Sequence, residues 1–163
     1  MAVHQKVSNP FVQPISGNPI ILPATNGMRI IANATDVFGS IGLEFGEVGS
    51  FESRAKPETL VEIQEVVADA NYSSIFRGFG VALARLSFDQ HQIIEYCRKY
   101  KHKMITYPSK TSFLWKVYSS FHVVIVYRGF HKKDELSVSL STYDNVNVWS
   151  HKDRSRVVIP QLV

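Results

Sequence analysis

The sequence predicts an α+β single domain: a mainly antiparallel sheet, two helices packed on it, and an extended N-terminal arm. Three observations predict it. Pro10, Pro14, Pro19 and Pro23 recur every four or five residues at the start of the chain. Residues 57–71 and 89–101 carry apolar side chains at helical spacing. Much of the remainder alternates with period two, most regularly in Leu136-Ser137-Val138-Ser139-Leu140-Ser141.

Residues 1–27 are expected to be a flexible, proline-bearing arm, since proline at this density prevents a helix and favours extended chain. Phe11, Ile20, Ile21 and Leu22 are its apolar anchors for docking on a neighbouring subunit. Residues 28–163 form the single globular domain, because a chain of 163 residues is about one domain. Within it, 28–53 reads as strands punctuated by Gly39, Gly42, Gly46 and Gly49.

The first helix is expected at 57–71. Pro57 suits a first turn, and Leu60, Ile63, Val67 and Ala70 fall on one face. Glu58, Glu62, Glu65 and Asp69 fall on another, as an acidic stripe. Residues 77–88 read as a strand. The second helix is expected at 89–101, with Asp89 as N-cap and Gln92 completing a capping box. Ile93, Ile94, Cys97 and Tyr100 form its buried face, and Arg98, Lys99, Lys101 and Lys103 crowd its C-terminal end, where the helix dipole favours cations. A short strand follows at 104–107, then one long or two shorter strands in 113–127 and a strand at 135–142, with a polar turn at 128–134. Residues 156–162 close the sheet, and Pro160 marks an edge strand.

Charge is unevenly distributed. Asp36 to Asp69 holds eight acidic and two basic residues, whereas Cys97 to Lys133 holds nine Lys/Arg and no Asp or Glu. A basic surface attracts phosphate, in nucleic acid or anionic lipid. An acidic surface on the same chain can meet the basic surface of a copy, and such a head-to-tail contact propagates. The expected anion-binding residues are Arg98, Lys99, Lys101, Lys103, Lys110 and Lys116. The expected self-association residues are the arm anchors and the acidic stripe.

No catalytic motif is visible: no Gly-x-Ser-x-Gly, no P-loop and no His-x-x-x-His. Cys97 stands alone, so no intrachain disulfide forms, and its apolar helical position marks it as a small core residue. Arg77-Gly78-Phe79-Gly80 matches the start of the RNA-recognition-motif signature strand, but Val81 to Ala84 stand where that signature needs aromatics. No enzyme activity, cofactor, metal or small-molecule substrate is expected. No stretch reaches the ~18 apolar residues of a membrane span, so membrane contact is expected to be peripheral.

Val126-Tyr127-Arg128-Gly129, then Glu135-Leu136-Ser137-Val138-Ser139-Leu140, then Tyr143-Asp144-Asn145 and Trp149-Ser150-His151 form an ordered series. It resembles the late strand pair of rhabdovirus matrix proteins over roughly half the chain. The arm has neither a lysine cluster nor Pro-Pro-x-Tyr, and the tail after His151 is short, so a plant-infecting member is the better likeness. The resemblance implies a non-enzymatic viral structural protein of matrix type. Such a protein self-associates and bridges the nucleoprotein–RNA complex to an anionic membrane, in the virion and the host cytoplasm. The alternative is a small basic nucleic-acid-binding regulator, such as a silencing suppressor or transcription modulator.

Overall fold

The computed structural model describes residues 8–15 and 20–162. The strands are β1 (Val12–Pro14), β2 (Ile20–Leu22), β3 (Ser40–Ile41), β4 (Thr59–Val66), β5 (Ser87–Phe88), β6 (Thr111–Val117), β7 (Ser120–Arg128), β8 (Leu136–Thr142) and β9 (Arg156–Pro160). The helices are α1 (Glu44–Val48), α2 (Tyr72–Arg77) and α3 (Gln90–Tyr100). All strands join one nine-stranded sheet in the order β1-β4-β9-β6-β7-β8-β3; β2 also pairs β4, and β5 also pairs β6. This is a mixed α/β protein dominated by its sheet. The long ladders β6–β7, β7–β8 and β4–β9 are antiparallel. β6–β9, β5–β6 and β3–β8 are parallel, so the sheet is mixed rather than simply antiparallel.

Apolar side chains leave both faces of the sheet. On one face, Phe113, Trp115, Val124, Leu136, Val138 and Val158 pack with Phe45 of α1 and Ile93, Ile94 and Cys97 of α3. On the other, Leu114, Val123, Ile125, Val157 and Ile159 pack with Tyr72, Ile75 and Phe76 of α2. Each fully buried aliphatic or aromatic side chain contributes roughly 1.5–3 kcal/mol. Polar contacts as well as apolar ones hold the helices in place. Tyr72 Oη and Ser112 Oγ lie 3.0 Å apart under α2. Gln90 holds the 31–51 segment to α3: its Oε1 accepts from the Ile31 N–H (2.9 Å), and its Nε2 donates to the Gly49 carbonyl (2.9 Å).

α3 forms as expected. The Asp89 side chain accepts from the Gln92 N–H (2.9 Å), and the Gln92 side chain accepts from the Asp89 N–H (3.1 Å). β8 stands where expected, with Leu136, Val138 and Leu140 facing the first core, and 113–127 proves to be two strands, β6 and β7, paired as a hairpin.

The expected strand at 104–107 is only an isolated bridge, Thr106 to Arg128, and four larger expectations are corrected. The 57–71 helix is instead β4, then a loop, then α2, which starts only after Asn71 caps it through the Ser74 N–H (2.9 Å). Thr59, Val61, Ile63 and Val66 are β-branched and favour a strand. Alternate residues serve the two cores, Val61 and Ile63 one and Val66 the other, while Leu60 and Val67 remain exposed. Second, 77–88 holds the end of α2, a turn through Gly80 at φ 69° and a 3-10 turn at Leu83–Leu86 before the two-residue β5. Third, 28–53 contributes only β3 as a strand, beside a 3-10 turn at Ile31–Asn33 and α1.

Fourth, β9 is interior, between β4 and β6, because its apolar residues cover both faces. Pro160 is tolerated because the hydrogen-bonded register position is the next one, where the Gln161 N–H donates to the Leu60 carbonyl at 2.8 Å. The expected arm also supplies sheet: β1 and β2 both pair β4, and Val12 and Leu22 are buried. The rest of that arm, residues 1–7 and 16–19, lies outside the described residues.

Candidate anion-binding surface

α3 ends where its chain turns through a 3-10 segment at Lys101–Lys103. Cations here face the negative end of the helix dipole. The carbonyls of this turn are taken up by two guanidiniums from the sheet. Arg128 donates to the His102 (3.2 Å) and Met104 (3.1 Å) carbonyls, and Arg156 donates to the Lys103 carbonyl (3.5 Å). The turn is thereby fixed with His102 and Lys103 exposed and Lys101 half-buried.

Around it, Arg98 donates to Glu95 at 2.7 Å, and that hydrogen bond holds the Glu95 carboxyl below its ordinary range. Lys99 and Lys103 lie 5.4 and 5.9 Å from the centroid of the Tyr100 ring, which tethers both stems. Tyr100 Oη donates to the Ile21 carbonyl at 2.8 Å, so β2 supports this corner. Asp134 is the acidic neighbour. Its hydrogen bond to Arg128 (2.7 Å) lowers its carboxyl pKa, and the charges of Lys133 and His102 lower it further. Among the described residues, none of Lys99, Lys101, His102 and Lys103 forms an ion pair.

Arg98, Lys99, Lys101 and Lys103 follow one another along the end of α3 and its 3-10 turn, whereas Lys110 and Lys116 lie elsewhere. Lys110 is buried, its ammonium over the Trp149 ring, and desolvation pulls its pKa down to about 8. Lys116 is exposed on the opposite sheet face, sharing the parity of Leu114, which belongs to the second core. It also lies near the far end of β6 from Thr111, about 17 Å along the strand at ~3.4 Å per residue.

The expected self-association residues separate too. Glu62 and Glu65 sit in one strand at positions of opposite parity, so no single stripe exists. Glu65 pairs with Arg154 at 3.2 Å, and Asp69 accepts from His151 Nδ1 at 2.7 Å and from its backbone N–H at 2.9 Å. Those bonds, backbone first, hold the Asp69 carboxyl low. Glu62 accepts from Gln64 at 3.2 Å, and Glu58 is exposed before β4. Leu22 is a core residue, Phe11 and Ile20 are half-buried against the cores, and Ile21 is exposed.

Cys97 is fully buried, and burial pushes its thiol pKa up. Phe79 of the Arg77–Gly80 motif is buried as well, so its ring offers no stacking face. Sequence reading missed one feature, the rings of Tyr107, Tyr127, Phe130 and His131 around the β7–β8 turn. The available signal was Phe130, an aromatic residue within an otherwise polar turn.

Fold and surface together define a sheet-dominated α/β protein with a cationic corner at the end of α3. Among the described residues, no group of three or more His, Cys, Asp or Glu is placed to hold a metal ion, and no helix is long and apolar enough to cross a membrane. No protein-family model, curated protein or solved structure matches the chain.

Proposed function

We propose that this is a non-enzymatic structural protein of matrix type, which self-associates and bridges a nucleoprotein–RNA complex to an anionic membrane surface in the virion and host cytoplasm. The observation that carries the reading is the run of Arg98, Lys99, Lys101 and Lys103 at the end of α3, whose closing 3-10 turn is fixed by Arg128 and Arg156. Near an anionic membrane each Lys or Arg contributes roughly 1 kcal/mol. The resemblance of 126–151 to rhabdovirus matrix proteins supports the same reading. Its self-contact falls to Ile21 and Glu58, exposed members of the expected set, since Asp69, also exposed, is bound to His151.

Sedimentation at rising protein concentration and falling salt tests this. The matrix reading expects growing assemblies, and co-flotation with phosphatidylserine vesicles. A chain that stays monomeric or dimeric and ignores such vesicles contradicts it. The second reading, a nucleic-acid-binding regulator, is favoured by the exposed rings of Tyr107 and Phe130 and needs no polymer.

A further inference from the structure

The turn joining β7 to β8 carries a ring cluster beside the cationic corner. Tyr107 and Phe130 have centroids 4.8 Å apart, and Tyr127 stands 5.8 Å from the first and 5.7 Å from the second. His131 adds a ring 4.5 Å from Phe130. The cluster is anchored from beneath: Tyr127 belongs to β7 and packs on the second core, and the Tyr107 N–H donates to the Arg128 carbonyl at 2.8 Å. Tyr107 and Phe130 nevertheless remain 47% and 46% exposed.

The surroundings are cationic. Arg128, Lys132 and Lys133 lie in the same stretch as Tyr127 and Phe130, and the one carboxylate of the turn before Glu135, Asp134, is engaged by Arg128. Arg128 bonds the His102 and Met104 carbonyls as well as Asp134, which makes the ring cluster and the end of α3 neighbours. Rings flanked by cations are the composition of a single-strand nucleic-acid site, where bases stack and phosphates meet ammonium groups. A membrane wedge is a poorer fit. The most exposed apolar side chains are Leu43, Val146 and Tyr118, at 92%, 82% and 79% exposure, whereas these rings are half-covered.

We infer that Tyr107 and Phe130 form a stacking ledge for the unpaired bases of a single-stranded nucleic acid, with its phosphates held by Lys103 on one side and Lys132 and Lys133 on the other. The inference stands apart from the matrix reading, since it requires neither self-association nor a membrane.

Fluorescence anisotropy with a short labelled oligo-uridylate tests it, with folding of each variant checked by circular dichroism. Tyr107→Ala with Phe130→Ala weakens binding about tenfold or more, because each base–ring stack is lost. The salt dependence is unchanged, because every phosphate-binding cation remains in place. Tyr107→Phe keeps wild-type affinity. A duplex of equal length is insensitive to the ring substitutions. Unchanged affinity in the double variant overturns the ledge, as does an equal loss on duplex or on phosphatidylserine vesicles, or a wild-type chain that binds no oligonucleotide. Should the double variant fail to fold, photocrosslinking of 4-thiouridine oligomer to the wild-type protein decides. Crosslinks at Tyr107 or Phe130 support the ledge, and crosslinks elsewhere alone overturn it. Failure of the matrix reading is seen separately, in sedimentation.

Discussion

The Lys110 ammonium lies over the face of the Trp149 indole, beneath the surface rather than upon it. Desolvation disfavours its charged form, Asp153 partly opposes this, and its pKa sits at about 8, below the usual lysine value. The unfolded chain therefore binds more protons than the folded one between about pH 8 and the ordinary lysine range near ~10.4, and stability rises with pH there. Buried Tyr72 and Tyr96, whose pKa values are raised by desolvation, act oppositely above about pH 10. Urea unfolding between about pH 7 and 9.5 should show the rise, and Lys110→Met should flatten it. A wild-type chain and a variant with the same slope would show that Lys110 is not desolvated.

Asp89 closes a reciprocal capping box with Gln92 at the start of α3. Asp89→Ala removes the acceptor for the Gln92 N–H and should destabilise the protein by about 1 kcal/mol. Asp89→Asn retains an acceptor and should recover most of that. Chemical denaturation of the two variants, compared at one pH, checks the order.

Val12 and Leu22 tie β1 and β2 into opposite cores of the sheet. Leu22→Ala should destabilise by about 2–5 kcal/mol, as other buried Leu truncations do. Removing residues 1–27 should lower the melting temperature and expose the outer edge of β4, instead of merely abolishing assembly. Thermal melting by circular dichroism tests this, and an unaltered melting curve would mean that these strands contribute nothing to the core.

Tyr72 Oη shares a hydrogen bond with Ser112 Oγ where both residues are buried. Tyr72→Phe leaves the serine hydroxyl without that partner and should cost about 1–3 kcal/mol, more than Tyr72→Phe combined with Ser112→Ala. A double-mutant cycle by urea unfolding measures the coupling.

Much of this organisation was readable from local signals. Asp89 and Gln92 announce α3, and the alternation from Leu136 to Ser141 announces β8, because cap and period are properties of neighbouring residues. Residues 59–66 misled because Leu60, Ile63, Val67 and Ala70 satisfy helical spacing while Val61, Ile63 and Val66 equally suit a strand buried on both sides. Only pairing with β9, almost a hundred residues away, decides between them. The same limit hid Lys110. Its burial depends on Trp149 and Ser155, brought alongside by the fold. The cationic corner was legible because its lysines and arginine lie within six consecutive positions, whereas the ring cluster joins Tyr107 to Phe130 across the β6–β7 hairpin.

Both proposals place phosphate at the end of α3. The sharpest test is to titrate binding of single-stranded RNA and of phosphatidylserine vesicles against salt, for wild type and for Lys101→Glu with Lys103→Glu. Weaker binding and a shallower log–log salt slope are predicted for the variant, by about 0.7 for each phosphate that it no longer neutralises on a single strand. A folded variant that keeps both the affinity and the slope of wild type would contradict this and put the anion on another face.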